Sequence, residues 1–581
     1  MAAQQDPKKD DSSSSPTSPM TNYSISIYNV SSDLPAIGCQ QTPQPDRVPL
    51  RVLAVLCLLN YICAFDGTVL STAVVAITGE LGGSTLEAFW TNTSMSLSST
   101  VSQPLWVRLS TEKNRAATTL VAVACFITGS SLALMVGSFD LLIAARTAQG
   151  LGIGGITALS NLVLLDFVSS GKSAAALGWV SASRALGSAV GPVVGASMSE
   201  RGLWRWIFWI DIPLALFSLV VLPSLVPCSA KAGSSSVLGG LAQLDWIGAF
   251  VFLASLTGFL IPITWGGVLF DWVSTHTLLP LCVCLGGLVG FALYSALWSR
   301  SPIFDRPLFL TANSVVIYAN AVFHGIAIFS LLYYLPLYFT IVKGASVLRA
   351  SLYILPNSVI AAVASTASGA ATSRMGRYRP LLWLGWATTT VGCGAQLVLD
   401  ETTSVAGGVA LTLVSGVGIG VLFTTLNLAA QASVPPAHTP AASSTTNFFR
   451  SLGQTVGIAV GGVVVQNVFR REIEASSVYG AYGAMWSRNI VKVGQAVRAL
   501  KSPEQQALKS LVVTGVARST RAVWLLLCIL SGTQFLVSVA WVEDLTLDGA
   551  RAVPRRRRLS ISRPQLQTTL ADPAAAGSFI R

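Results

Sequence analysis

The chain has 581 residues, of which 52% are hydrophobic and 11% are charged, and its formal net charge is +12. Soluble domains carry roughly 25% charged residues, so this composition excludes an ordinary soluble protein. The basic residues lie in loops and tails, so the positive charge does not indicate nucleic-acid binding. Three histidines and nine cysteines without paired CxxC spacing predict no metal, cofactor or disulfide framework.

The apolar residues are gathered in repeated runs of about 20 residues, the length that a helix needs to cross a bilayer. Residues 1–48, which are rich in Ser, Pro and Gln, predict a disordered cytosolic tail, and the basic residues 546–581 predict another. Between them we predict fourteen spans, including a polar second one that suits a cavity-lining helix. The predicted spans are 50–74, 87–108, 116–136, 140–163, 174–196, 204–226, 244–266, 276–297, 312–340, 348–370, 380–399, 405–430, 450–467 and 520–541.

Lys and Arg in the short loops set the expected orientation, because cytosolic loops are enriched in both residues. The loops after even-numbered spans carry most of them, so both termini are expected in the cytosol. The loop at 468–519 is also basic, although the count of spans places it on the non-cytosolic side. This does not contradict the orientation, because long loops cross the membrane largely regardless of their charge. Within it, residues 502–505 (SPEQ) predict the start of a short capped helix.

An internal repeat relates two parts of the chain. RALGSAVGPVVGA from Arg184 aligns without gaps with RSLGQTVGIAVGG from Arg450, and the same offset places GLGIG at 150–154 over GVGIG at 416–420. Spans 4 and 5 therefore correspond to spans 12 and 13. This predicts an N-terminal six-helix half at 49–227, two inserted helices with linkers at 228–310, and a C-terminal six-helix half at 311–545. Parallel repeats around a midplane site are typical of transporters.

Span 4 carries Arg146 and Gln149, one turn apart, inside an apolar run. A charge inside a membrane is costly, so Arg146 is expected to face a partner or a water-filled cavity. Asp66 in span 1 lies at a similar depth, roughly 10 Å inside the outer face at about 1.5 Å per residue. An Asp that alternates between pairing with Arg and binding a proton couples proton entry to a conformational change. The alternative is a permanent structural pair.

Small residues in spans 4 and 5 predict close approach of neighbouring helices. Pro192 would kink span 5 and supply a hinge, although packing alone also explains the glycines. The glycines are Gly150, Gly152 and Gly154 in span 4 and Gly187, Gly191 and Gly195 in span 5.

These motifs resemble the major facilitator superfamily, in particular its fourteen-helix drug:proton antiporter branch in fungal form. Residues 141–155 resemble the span-4 motif R-x-x-Q-G-x-G, and 186–196 resemble the antiporter motif of span 5. Residues 204–213 resemble the W-R-W start of span 6, and 333–346 resemble the ninth span and its loop. The resemblance covers residues 45–545 and implies an all-α polytopic membrane protein of the major facilitator fold.

The loop between spans 2 and 3 departs from the family pattern G-x-L-x-D-x-x-G-R-K. Val107, Thr111 and Asn114 replace Gly, Asp and Gly, and only Leu109 and Arg115 remain of the fixed positions. In the family this loop and its acidic residue latch the cytosolic gate. Because Thr111 replaces that acidic residue, the sequence leaves undecided whether the latch operates in this chain.

The second-half counterpart of that loop, residues 369–379, is better preserved. Asp211 stands where the family usually has Asn, which adds an acid at the outer end of span 6. The residues assigned to gating are Arg108, Arg115, Arg184, Arg374, Gly376, Arg377 and Arg450. Apolar and aromatic walls with few polar anchors suit bulky amphipathic compounds. The side chains expected to line the substrate cavity are Trp90, Asn92, His324, Tyr333, Tyr334, Asn357, Asn427 and Gln431.

The resemblance implies a monomeric secondary transporter in the lipid bilayer that exchanges protons for a small-molecule substrate. Efflux of drugs, toxins or secondary metabolites across the plasma membrane is the first hypothesis. A vacuolar carrier of basic amino acids, or a siderophore carrier, stays open because Asp66 and Asp211 offer negative charge. A nutrient sensor would need a large structured tail, which neither terminus predicts. No catalytic constellation indicates an enzyme, and GKS at 171–173 lacks the upstream glycine of an ATP-binding phosphate loop.

Overall fold

The structure is a computed structural model that describes residues 48–82, 85–111, 115–168, 173–225, 245–267, 270–299, 301–487, 490–498 and 506–545. The predicted tails, apart from residue 48, and the predicted helix start at 502–505 lie outside these ranges.

Fourteen helices of 17 residues or more organise the described part of the chain. Two short helices, Gly483–Ser487 and Ile490–Arg498, precede the last of them. We call the face of the bundle at which α1 begins the N-terminal face, and the other the opposite face. The long helices are α1 (Leu50–Leu81), α2 (Thr85–Thr111), α3 (Arg115–Leu134), α4 (Phe139–Phe167), α5 (Ala174–Glu200), α6 (Trp206–Leu225), α7 (Trp246–Trp265), α8 (Thr275–Leu297), α9 (Ala312–Leu337), α10 (Val347–Met375), α11 (Arg379–Ala395), α12 (Val405–Ala432), α13 (Thr439–Glu474) and α14 (Gln506–Trp541).

Eleven of the described helices are long and apolar enough to cross a membrane. The other three long helices are α2, α5 and α11, which pack among the eleven. Helix α11 has 17 residues, and α2 is rich in Ser and Thr, as the sequence predicted for a span that hydropathy alone would miss. Such helices are stable in a bilayer because their polar side chains face other helices rather than lipid.

The two halves repeat the same helix packing. In the N-terminal half α1 packs on α5, α2 on α4, and α3 on both α4 and α6. In the C-terminal half α9 packs on α13, α10 on α12, and α11 on both α12 and α14. Helices α7 and α8 pack on each other, and α7 contacts α2 and α13. The predicted fold of two six-helix repeats with two inserted helices is therefore confirmed.

The last long helix, α14, is longer than the sequence predicted. The helix predicted at 520–541 begins at Gln506, so the residues after 505 belong to it and do not form a separate short helix. Hydropathy missed this extension because Lys509 and Arg518 interrupt the apolar run. The extension is stabilised because Val512 and Val516 are buried in a cluster with Phe469 of α13.

Candidate functional site

Asp66 on α1 and Arg146 on α4 form a fully buried ion pair. The Nη1 atom of Arg146 lies 2.8 Å and 2.9 Å from the two carboxylate oxygens of Asp66. The same nitrogen donates to Oε1 of Gln149 at 2.8 Å, and Nη2 donates to the backbone oxygen of Asp66 at 3.3 Å. A buried charge requires such compensation. The structure thus brings together the three residues that the sequence singled out.

Neighbouring helices hold this pair in position. Gln149 donates to Ser130 Oγ on α3 at 2.8 Å. The Sδ atom of Met95 on α2 accepts from Nη2 of Arg146. The ring of Phe208 on α6 lies under the guanidinium, with 5.9 Å between its centroid and Cζ of Arg146. Helices α1, α2, α3, α4 and α6 therefore all contribute to the setting of one arginine.

Asp211 adds a second carboxyl to this cluster. It follows Phe208 by three residues, so both lie on the face of α6 that looks toward Arg146. Asp211 is fully buried beside Asp66, and neither of its carboxyl oxygens has a hydrogen-bond partner among the described residues. Ionised carboxylates only accept hydrogen bonds, so Asp66 and Asp211 form one only when either holds a proton. One guanidinium thus faces two carboxyls.

A cavity lies between the two halves of the bundle. Its walls come from α1, α2, α4 and α5 of the first half and α9, α10, α12 and α13 of the second. Small polar side chains alternate with apolar ones, including the aromatic rings of Phe329 and Phe423. Of the eight side chains predicted to line a substrate cavity, Asn357 lies in this lining.

The other seven predicted cavity residues lie outside this lining. On the side toward the opposite face, Asn92 of α2 donates to the hydroxyl of Tyr333 on α9, which links the two halves. Tyr334 donates to the backbone oxygen of Ile458 at 2.7 Å and so packs α9 on α13. Trp90 is half-buried on α2.

The remaining three are bound within the protein. Nδ2 of Asn427 donates to the backbone of its own helix α12. Gln431 accepts from Ser173 Oγ at 3.3 Å near the N-terminal face. Nε2 of His324 contacts the backbone oxygen of Ile419 at 3.1 Å.

Arg184 on α5 lines the central cavity. Its Nη1 atom donates to Asn60 Oδ1 at 3.3 Å and to Thr157 Oγ1 at 3.1 Å. Both partners are neutral, so these hydrogen bonds orient the guanidinium without compensating its charge.

Arg450 on α13 occupies the position equivalent to Arg184 in the second half. It donates to His324 Nδ1 at 3.2 Å, to Asn447 Oδ1 at 2.8 Å and to the backbone oxygen of Phe423 at 3.2 Å. Because Nδ1 of His324 accepts here, this imidazole carries its proton on Nε2 and is neutral. All three partners of Arg450 are therefore uncharged.

Five of the predicted gating residues lie at the N-terminal face. Arg115 pairs with Asp166 and so joins the start of α3 to the end of α4. Arg377 lies 3.7 Å from Asp544, just after α14. Gly376 directly follows α10 and caps it in the left-handed conformation with φ of 66°, which glycine adopts without strain. Arg108 lies in the last turn of α2 and Arg374 in the last turn of α10, both at this face.

The predicted glycines lie where helices approach closely. A Cβ atom added at Gly187, Gly191 or Gly195 would collide with the backbone of α1. Thr72 of α1 donates to the backbone oxygen of Pro192 at 3.0 Å, and α5 continues through this proline. Gly150 and Gly154 meet α2 in the same way, and Gly152 meets α3.

Comparisons with known proteins agree with this architecture. The chain matches the family model described as Major Facilitator Superfamily over residues 56–458. MFS transporter L2 of Phoma sp. is 32% identical over 85% of this chain and 81% of that protein. Efflux pump FUS6 of Gibberella fujikuroi is 30% identical over 74% of this chain and 78% of that protein.

Among solved structures, the proton:xylose symporter XylE aligns with a TM-score of 0.54 at 12% identity and covers 87% of this chain and 98% of its own. At that identity the likeness shows the fold alone. The family match and the apolar helices together identify a multi-pass integral membrane protein that transports small molecules and is not an enzyme. The chain belongs to the Major Facilitator Superfamily.

Proposed function

We propose that this transporter is a proton-coupled antiporter that exports amphipathic drugs, toxins or secondary metabolites. The observation that carries the proposal is the buried cluster in which two carboxyls, Asp66 and Asp211, face the single guanidinium of Arg146. With both carboxyls ionised, the cluster would hold an uncompensated buried charge, which costs several kcal/mol. One proton shared by the two carboxyls removes that charge. The cluster is therefore suited to bind and release a single proton.

The cluster also touches the wall of the central cavity. Met95 accepts a hydrogen bond from Arg146 and lines the cavity, and Gly67, next to Asp66, lines it as well. A substrate that enters the cavity presses on the two helices that carry these residues, α1 and α2. Movement of α1 relative to α4 and α6 would change the contacts of Asp66 with Arg146 and with Asp211. Substrate binding and proton release are in this way mechanically linked.

The direction of transport and the membrane that holds the protein are inferred from other observations. The basic ends of α2, α3, α10 and α11 all lie at the N-terminal face, which supports a cytosolic assignment for that face and both termini. The name of the relative FUS6, an efflux pump, supports export. Export from the cell requires the plasma membrane, which we therefore propose as the location of the protein. We expect the single chain to be sufficient for transport, because its cavity is built within one chain.

A vacuolar carrier of basic amino acids is the second candidate, favoured by the excess carboxyl of the buried cluster. The cavity lining argues against it, since no Asp or Glu among the described residues lines the space where a cationic substrate would sit. Proton coupling would be the same in both cases.

The proposal is tested in proteoliposomes with an internal pH indicator. We expect proton flux that depends on an amphipathic secondary metabolite in the wild type and is lost in Asp66→Asn and in Asp211→Asn. Exchange of radiolabelled metabolite without a pH gradient should persist in both variants, which shows that they are folded. Asp140→Asn, in the exposed first turn of α4, serves as the matched control and should keep the flux.

Two results would contradict the proposal. Asp66→Asn that still transports against a gradient under a pH difference would exclude the assigned coupling acid. Proton flux that depends on lysine and not on any metabolite would support the vacuolar amino-acid carrier instead.

A further inference from the structure

Positive charge exceeds negative charge around the central cavity. Among the described residues that line it, Arg184 is the one charged side chain, and none is Asp, Glu or Lys. Arg450 lies directly behind the wall, since the next residue, Ser451, and its contact Phe423 both line the cavity. Arg450 is close enough to Arg184 for the two positive charges to interact. The cavity is therefore an electropositive chamber between two equivalent arginines.

Neither arginine has a carboxylate among its hydrogen-bond partners in the described part of the chain. The hydrogen bonds of Arg450 engage Nε, Nη1 and Nη2, and all of them end on neutral acceptors. Like charges brought together away from water repel strongly. A transporter that holds two uncompensated guanidinium groups at its cavity is stabilised when an anion enters.

The acidic cluster does not supply this anion. Asp66 is engaged by Arg146, and Asp211 lies on the face of α6 that looks toward Arg146. Neither carboxyl belongs to the lining of the central cavity.

Arg184 has donors to spare. A guanidinium carries five N–H donors in a fork that matches a carboxylate, and the hydrogen bonds of Arg184 to described residues use Nη1 alone. The side chain is half-buried and lines the cavity, so its other donors are placed to meet a ligand. Around it, Ile354, Phe329 and Phe423 supply apolar surface.

We propose that the central cavity selects amphipathic organic carboxylates, whose anionic group binds Arg184 under the added attraction of Arg450 and whose apolar body lies against the aromatic wall. The inference deepens the proposed function, on which it rests only in taking this cavity as the transport site. It does not depend on proton coupling. A neutral or cationic analogue of the same shape would leave the two guanidinium groups uncompensated and bind more weakly.

Binding of matched dansyl probes tests this. The purified full-length protein in phosphatidylcholine nanodiscs, which offer no anionic lipid as a competitor, is titrated at pH 7 without a gradient. We expect dansylglycine to bind at least about tenfold more tightly than dansylglycinamide, the size of effect that one hydrogen bond to a charged group gives. Dansylcadaverine, which is cationic, should bind more weakly than either probe.

Substitutions of Arg184 test whether this residue causes the preference for the carboxylate probe. Arg184→Gln should lower the affinity for dansylglycine about tenfold and leave that for the amide unchanged, so that the preference disappears. Arg184→Lys keeps the charge and should retain part of it. Arg349→Gln, an exposed arginine in the first turn of α10 that has no assigned role, is the matched control and should behave as the wild type.

The proposal is overturned if the wild type binds the amide or the cation as tightly as dansylglycine, or fails to bind dansylglycine up to about 1 mM. It is also overturned if Arg184→Gln keeps the preference. Because the comparison of probes uses the wild type, a misfolded variant does not remove the test. Asp66→Asn should lose proton flux but keep the carboxylate preference, so failure of coupling and failure of anion selection are told apart.

Discussion

Arg146 shows how a single residue fixes the chemistry of the first half. Its guanidinium is fully buried, and its hydrogen bonds reach Asp66, Gln149 and Met95 on three helices. Removing one partner of such a pair leaves the other charge uncompensated, which is why buried ion pairs are sensitive to substitution. Under the proposed function, a proton bound at Asp66 or Asp211 would change which carboxyl the guanidinium holds.

Another acidic residue of α1, Glu80, lies beyond the apolar part of that helix. Its contacts predict how the stability of the protein depends on pH. Hydrogen bonds from Arg205 and Trp204 hold the pKa of Glu80 below its ordinary value. A lowered carboxyl pKa means that this stabilisation is complete above the ordinary pKa and is lost as the pH falls through the lowered one. The unfolding temperature of Glu80→Gln should therefore lie below that of the wild type at pH 7, and the two should converge as the pH falls below the ordinary carboxyl pKa.

The effect is expected to be small, because Glu80 and Arg205 are both partly exposed. Glu200→Gln, which removes an acid from the exposed end of α5, is the control for a change in net charge. A difference between Glu80→Gln and the wild type that stays constant from pH 7 to pH 3 would contradict the assignment.

At the scale of the element, the contact between α1 and α5 depends on the absence of side chains. Gly187, Gly191 and Gly195 recur every four residues and face Tyr61, Phe65 and Val69, which have the same spacing on α1. The second half repeats the device, because added Cβ atoms at Gly453 and Gly457 would meet the backbone of α9. In a bilayer, where lipid is as apolar as the helix surface, such close backbone approach is a main source of helix association.

This packing gives a prediction for one methyl group. Gly187→Ala should lower the free energy of unfolding by about 1–3 kcal/mol, because the added Cβ would overlap the backbone oxygen of Tyr61. The matched control is Gly290→Ala in α8, where nothing lies within 4 Å of an added Cβ. There alanine should leave the stability unchanged or raise it by up to about 1 kcal/mol. Denaturant unfolding in detergent compares them, and equal effects at both positions would refute the packing argument.

The sequence allowed part of the site to be predicted. Arg146, Gln149 and Asp66 were predictable because polar groups in apolar runs must find partners, and their depth follows from the helical rise. The position of Asp211 beside Asp66 depends on the rotation of α6 about its axis, which hydropathy does not give. His324 was expected in the cavity, but it is the hydrogen-bond partner of Arg450. That contact joins α9 to α13 across a long separation in sequence, which local patterns do not encode.

At the scale of the whole molecule, polar contacts between the halves gather toward the N-terminal face. Asn161 near the end of α4 donates to Ser443 near the start of α13 at 2.9 Å, and Ser444 donates to the backbone oxygen of Ala158 at 2.6 Å. These contacts join neutral groups, whereas the ion pair of Arg115 lies within one half. A transporter with alternating access must break such contacts to expose its cavity on that side. Neutral hydrogen bonds suit this, because each contributes only about 1 kcal/mol.

A reversible cross-link tests whether this face must open. In a cysteine-free background, Asn161→Cys with Ser443→Cys places two thiols where the native side chains are in hydrogen-bond contact. Joining them with a short bifunctional thiol reagent should abolish substrate exchange, and reduction should restore it. The control pair, Gln396→Cys with Ser415→Cys, replaces a contact of the same 2.9 Å length inside the second half. Since rigid-body motion keeps that contact intact, the cross-linked control should transport normally. Full exchange with the first pair joined would mean that the halves do not separate at the N-terminal face.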